Sequence, residues 1–295
     1  MINTHSKEAH MLFGENHRAI MNLRNQGYGD AGFDIRTVPL YYNVESDNDI
    51  VTNGWKSKKY TTYRTDTGEE LGVHGERYHA IRPSQMIDTC RNLLERSDLP
   101  CKNIIETIQT SHTGSRTFVK YTLPEVTYDT GDGDNATLGL LATTSFDSTW
   151  SFMISVAAVQ SACLNLQVFM SGDVAIYKSR HTKGINLEAG SRIVSSALDV
   201  FNNERGLWIE WQNTLLQSAD IKRTLEVLPK SAQDYIRKQL KDVYAERFGY
   251  TLWAFYNALT DWSTHAPISK RSVSNIASIR NLRQRKVREV FKWAA

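Results

Sequence analysis

"SFMISVAAVQSACLNLQVF" (residues 151–169) is the longest apolar stretch of the chain, and its reading decides the fold. A membrane helix needs about 18 or more consecutive apolar residues. Here Ser, Gln and Asn interrupt the run, so it reads as paired strands instead. Strand patterns continue on both sides. "NIIETIQTSHTGSRTFVKYTLPEV" (103–126) and "TLGLLATTSFD" (137–147) precede it, and "NLQVFMSGDVAIYKS" (165–179) overlaps its end. Further upstream, "FDIRTVPLYYN" (33–43) is β-rich, and "KKYTTYRTDTGEELGVHGERYHAI" (58–81) alternates around turns at Asp66–Gly68 and His74–Gly75.

Helical signals flank these strands. Residues 6–25 have weak helical periodicity. Pro83 opens a helix whose Met86, Ile87, Cys90, Leu93 and Leu94 share one face. After Gly184 the pattern turns helical, with a break expected near Gly206 and a cap at Ser231. Leu252, Phe255, Tyr256, Leu259 and Trp262 form a buried stripe, and Pro267 closes that helix. The class is therefore α+β, a mostly antiparallel β-rich part followed by a helical C-terminal part. The expected divisions are a helical segment 1–30, a β-rich core 31–184, a helical part 185–268 packed on it, and a basic helix 269–295.

The chain has 295 residues, 41% hydrophobic and 23% charged, as in an ordinary globular protein. Its N-terminus has no continuous apolar core, so no secretion signal is expected, and no membrane association. Cys90, Cys101 and Cys163 lack metal spacing and suggest reduced thiols in a cytoplasm. The net charge of +3 is unevenly spread. From His265 to Ala295 eight Lys and Arg face one Glu, a net +7 that leaves −4 for the rest. That asymmetry points toward an anionic partner.

Tests for catalysis give nothing. Asp66-Thr67-Gly68 and Asp129-Thr130-Gly131 repeat the tripeptide of aspartic proteases, which need two carboxylates sharing a proton. Asp66 follows "YRT" rather than ending an apolar strand, and the pair is too close in sequence for two lobes. Both tripeptides read as turn formers. "DTGDGDN" lacks the ligand pattern of a calcium loop, because its twelfth position is Leu140. No phosphate-binding glycine motif and no nucleophile elbow occurs. No catalytic residue, cofactor or metal is expected. A hydrolase using Asp147, or His181 with His112, would require these groups to converge in one pocket.

Basic residues interleaved with aromatics remain. "WKSKKYTTYR" (55–64) sets Lys56, Lys58, Lys59 and Arg64 among Trp55, Tyr60 and Tyr63. Charge for phosphates and π-faces for unpaired bases are what single-stranded nucleic acid requires. In the last helix Arg285, Arg288 and Lys292 form a basic stripe. Ile276, Ile279, Leu282, Val287, Val290 and Phe291 form an apolar side on which Arg280 and Arg283 intrude. Docking on the body with basic residues facing phosphates suits that pattern better than a membrane surface, which wants a clean apolar face.

Several segments together resemble the family called domain of unknown function 932. "YRTDTGEELGVHGERYHAI" (63–81) resembles its early hairpin, and "TTSFDSTWSFMISVAAVQSACLN" (143–165) its central turn, strand and Cys-x-Asn. "SRHT" (179–182) is similar to its basic-His-Thr, and "FYNALTDWSTH" (255–265) to its Asn-Ala-x-Thr-acidic helix. The likeness spans roughly residues 35 to 270. Two turns depart from the pattern, with Phe146-Asp147-Ser148 in place of His-Asp-Gly, and Leu164-Asn165-Leu166 after Cys163 in place of Asn-Gly. The resemblance implies no activity, only a context of phage and plasmid DNA near replication or recombination functions.

The expectation is a non-enzymatic phage or plasmid accessory protein that binds nucleic acid, with single-stranded DNA favoured, and can form homo-oligomers. Strand annealing is one form of it. Its contacts are Lys56, Lys58, Lys59, Tyr60 and Arg64, and Arg280, Arg283, Arg285, Lys286, Arg288 and Lys292. The competing expectation is a structural or self-assembling protein that meets partners through Trp262, Phe291 and Trp293.

Overall fold

The computed structural model describes residues 4–42, 45–46, 49–50, 54–111, 113–130, 135–160, 166–167, 176–181, 186–269 and 276–294. His112, Cys163, Leu164, Asn165, Thr182, Lys270, Arg271 and the loop 131–134 lie outside these residues.

Helix α1 (Thr4–Asn25) leads into strands β1 (Ile35–Tyr42), β2 (Glu45–Ser46), β3 (Asp49–Ile50), β4 (Trp55–Arg64) and β5 (Glu70–Gly75). β1, β4 and β5 form a small antiparallel sheet in that order. Helix α2 (Pro83–Glu95) follows, then β6 (Ile105–Thr110), β7 (Arg116–Asp129), β8 (Asn135–Ser145), β9 (Phe152–Gln160), β10 (Leu166–Gln167) and β11 (Ile176–Ser179). These make a larger antiparallel sheet in the order β10-β9-β8-β7-β6, with β11 also paired to β9. The stretch at 151–169 is thus paired strands, with Val159 opposite Leu166.

The remaining helices are α3 (Ser191–Ser195), α4 (Ala197–Asn213), α5 (Ser218–Leu225), α6 (Lys230–Gln239), α7 (Ala245–Phe248), α8 (Leu252–His265) and α9 (Ile276–Phe291). One π-turn, Leu240–Tyr244, joins α6 to α7. Antiparallel sheets first and helices after them make the α+β class. Among the described residues, no helix is long and apolar enough to cross a membrane.

One face of the large sheet carries the core. Val119, Tyr121, Leu140, Ala142, Ile154 and Val156 alternate toward it, where they join α2, α4 and α8 in one apolar cluster. Met86, Ile87, Cys90, Leu93 and Leu94 are buried, as their spacing predicts. Cys90 and Cys101 are free and buried, and burial pushes both thiols up to about 12. Reactive thiolates are therefore disfavoured at both.

Three expectations need correction. α4 runs unbroken through Gly206, because Phe201, Trp208 and Trp211 are buried on both sides of it and hold the helix. α6 begins at Lys230 after Pro229, with no cap from the Ser231 side chain. Trp262 and Phe291 are buried, and Trp293 donates to Thr224 while Arg223 stacks on its ring at 3.3 Å. Trp262 and Phe291 are therefore not presented at the surface, while Trp293 stays half-buried.

Asp66-Thr67-Gly68 is a turn, as its residues predict. Gly68 has φ 73 and its N–H donates to the Arg64 carbonyl, closing the β4–β5 hairpin. Asp66 accepts twice from Arg64, which holds its carboxyl below the usual range. Asp129 ends β7 in the other sheet.

Candidate nucleic-acid interface

β1 and β4 pair from Ile35/Arg64 out to Tyr42/Trp55, but β5 follows β4 only as far as Lys59. The first two strands therefore run past the third as a two-stranded ribbon. Three residues of β1, from Pro39 to Tyr41, face five of β4, from Tyr60 to Lys56. The surplus forms a bulge in which the Ser57 hydroxyl accepts from the Lys59 N–H. A bulge raises twist and re-aims side chains. Lys56, Lys58 and Lys59 are exposed there. Tyr41 lies opposite Lys56 and is 61% exposed, and the next residue, Tyr42, is 54% exposed. The two tyrosines were missed by sequence reasoning, although "LYY" was visible beside the expected strand.

The other hairpin residues are less available. Tyr60 is half-buried opposite His74. Arg64 lies over the Phe33 ring at 4.2 Å and is paired with Asp66. It supports the turn, and the exposed cations are the three lysines.

α9 packs on α8 and α5, with Val287, Val290 and Phe291 buried. Leu282 on the expected apolar side is instead exposed. Arg285 and Lys292 are exposed, Arg288 is half-buried, and Lys286 pairs with Glu289 at 3.0 Å. Arg283 is turned inward. Its guanidinium donates to the carbonyls of Trp262, Ala266 and Pro267 and stacks over Trp262 at 5.5 Å. A cation at a helix C-terminus satisfies otherwise orphaned carbonyls, which explains an arginine on the apolar side. Burial lowers its pKa. Arg280 also turns inward, and its Nε is buried without a partner. The ribbon and α9 thus carry two separate basic groups.

A second arrangement was not expected. The Tyr78 ring is stacked between His74, at 4.4 Å, and His181, at 4.9 Å. Its hydroxyl donates to the Ser145 carbonyl, and burial raises its pKa, with the Asp147 charge adding to this. The His74 Nδ1 donates to the Gly75 carbonyl, so its Nε2 accepts from Thr62, whose oxygen accepts from Thr37. The His181 Nδ1 donates to the His79 carbonyl, and the Trp150 backbone also acts on the buried ring. Burial lowers the pKa of His181.

Beside the stack, the 145–150 turn is tightly fitted. Asp147 accepts from Arg116 at 2.6 Å and from Thr149. A Cβ on Gly72 would stand 2.6 Å from the Asp147 Cα, so only glycine permits this approach. Ser148, where glycine was expected, has φ 62. The Asp147 carboxylate is thus engaged by Arg116 and Thr149, and His112, named with His181 in the hydrolase expectation, lies outside the described residues. Among the described residues no cluster could hold a metal ion.

Segments far apart in sequence thus meet at Tyr78: the early hairpin, the central turn and the basic-His segment. A sequence profile of the family described as Domain of unknown function (DUF932) matches residues 70–288. The chain belongs to this family. No curated protein and no solved structure matches it. The DUF932 match takes in β5, the His74–Tyr78–His181 stack and most of α9, and it leaves the ribbon of β1 and β4 outside.

Proposed function

We propose that this DUF932 protein is a nucleic-acid-binding accessory protein of a phage or plasmid, engaging single-stranded DNA during replication or recombination. The observation that carries the reading is the β1–β4 ribbon, where exposed Tyr41 and Tyr42 stand beside exposed Lys56, Lys58 and Lys59. Unpaired bases stack on aromatic faces at about 1–3 kcal/mol per base, and lysines neutralise the phosphates between them. Duplex DNA hides its base faces, so the ribbon favours a single strand. Arg285 and Lys292 on α9 add a second cationic surface.

The test is fluorescence anisotropy with labelled single-stranded and duplex oligonucleotides of one sequence. Tighter binding to the single strand, weakened about tenfold or more by Tyr41→Ala/Tyr42→Ala, is the expected result. No binding at low salt would overturn the proposal.

A further inference from the structure

The large sheet has a second face, away from the main core, on which Thr107, Gln109, Phe118, Lys120 and Val159 project. Between this face and the α8–α9 corner lies a cleft of about 260 Å³. Phe118 and Lys120 of β7 form one wall. His265 at the end of α8 and Arg280, Asn281 and Gln284 of α9 form the other. No carboxylate is among the described residues lining it.

The cations in this cleft are unusually placed. Arg280 makes no ion pair among the described residues and buries its Nε without a partner, although buried donors normally have acceptors. Its charge also acts unfavourably on the neighbouring Arg283. Lys120 stands half-buried on the strand with no ion pair among the described residues, and burial lowers its pKa. Two desolvated cations facing each other's space cost free energy that a bound anion would recover. Asn281 and Gln284 add amide donors, and the half-buried Phe118 ring adds a flat apolar surface.

We propose that this cleft binds a phosphate monoester attached to a flat ring, of which a nucleoside monophosphate is a small example. Arg280 and Lys120 would hold the phosphate, whose charge of about −1.5 to −2 at neutral pH matches the two fixed cations. His265 and the two amides would complete the shell, and the ring would lie on Phe118. The volume lies just below the usual range for ligand pockets, about 300–1,000 Å³, so it suits a small molecule or one terminal nucleotide. This site does not depend on the ribbon.

Isothermal titration of the full chain with adenosine and thymidine 5′-monophosphates, and with inorganic phosphate, tests the idea. The monophosphates should bind more tightly than phosphate alone. Arg280→Gln and Lys120→Gln should each weaken them about tenfold or more without lowering the unliganded Tm. Competition by a 5′-phosphorylated oligonucleotide, but not by its 5′-hydroxyl form, would assign the site to strand ends. Absence of competition would assign it to the free nucleotide. The proposal is overturned if neither monophosphate binds, or if both substitutions leave binding unchanged. Lys56→Gln/Lys58→Gln/Lys59→Gln should leave monophosphate binding intact, so failure of the ribbon reading and of this one are distinguishable.

Discussion

Arg91→Met should cost about 3–5 kcal/mol, because it leaves the Glu106 carboxylate buried without its partner. The Arg91 side chain is 1% exposed and that of Glu106 5%. The pair is bidentate, with Nε to Oε1 at 3.0 Å and Nη2 to Oε2 at 2.6 Å. Nη2 also donates to the Gly27 carbonyl at 2.7 Å, and the guanidinium lies over Tyr28 at 5.3 Å. One side chain therefore ties α2 to β6 and to the turn after α1. Methionine keeps much of the volume and all of the apolar character of the stem, so the loss is electrostatic rather than a cavity. A domain's net stability is about 5–15 kcal/mol, which makes this a large fraction. Urea unfolding followed by tryptophan fluorescence reads it as a lower midpoint at unchanged slope. Arg91→Met/Glu106→Leu should recover most of the loss, since an apolar pair of similar volume needs no desolvation. A cost under about 1 kcal/mol for Arg91→Met, or no recovery in the double variant, would refute the reasoning.

Other expectations concern single positions. Ser148→Gly should stabilise by about 1 kcal/mol, because φ 62 strains a residue with a Cβ; thermal unfolding would show a higher Tm. Gly206→Ala should stabilise by about 0.5–1 kcal/mol, since Gly206 is exposed in mid-helix with open space around it; urea midpoints measure it. The burial-lowered pKa of His181 means the unfolded chain binds its proton first. This contribution to stability is complete above the unfolded pKa of about 6.5 and is lost as pH falls through the folded value. His181→Gln should flatten stability against pH in that window, measured by urea midpoints across it.

Local patterns made much of the fold legible. The helix opened by Pro83, the turn at Gly68 and the paired strands at 151–169 follow from spacing and turn chemistry alone. α8 shows where such reasoning stops. Its apolar stripe was readable, yet Leu252 through Ser263 are all buried. Asn257, Thr260 and Ser263 donate to carbonyls of their own helix, and Asp261 accepts from Tyr235 and Tyr244 of the α6–π-turn segment. A polar residue reads as surface until its distant partner is known. The same limit hid the geometry of the candidate site. The lysines of β4 were visible, but the placing of exposed Tyr41 opposite Lys56 depended on strand register. His74, Tyr78 and His181 met only through folding, across more than a hundred residues. Arg283 looked like a nucleic-acid contact because nothing local shows that the end of α8 needs a donor.

The β1–β4 ribbon is proposed here as the face that meets nucleic acid. The most direct measurement is the slope of log K against log salt concentration for single-stranded DNA, for the parent chain and for Lys56→Gln/Lys58→Gln/Lys59→Gln. Each phosphate contact contributes about −0.7 to that slope, so three lysines together should account for about 2 units. A shallower slope by about that amount, with the unfolding midpoint unchanged, is the expected result. An identical slope in the two proteins would contradict the claim.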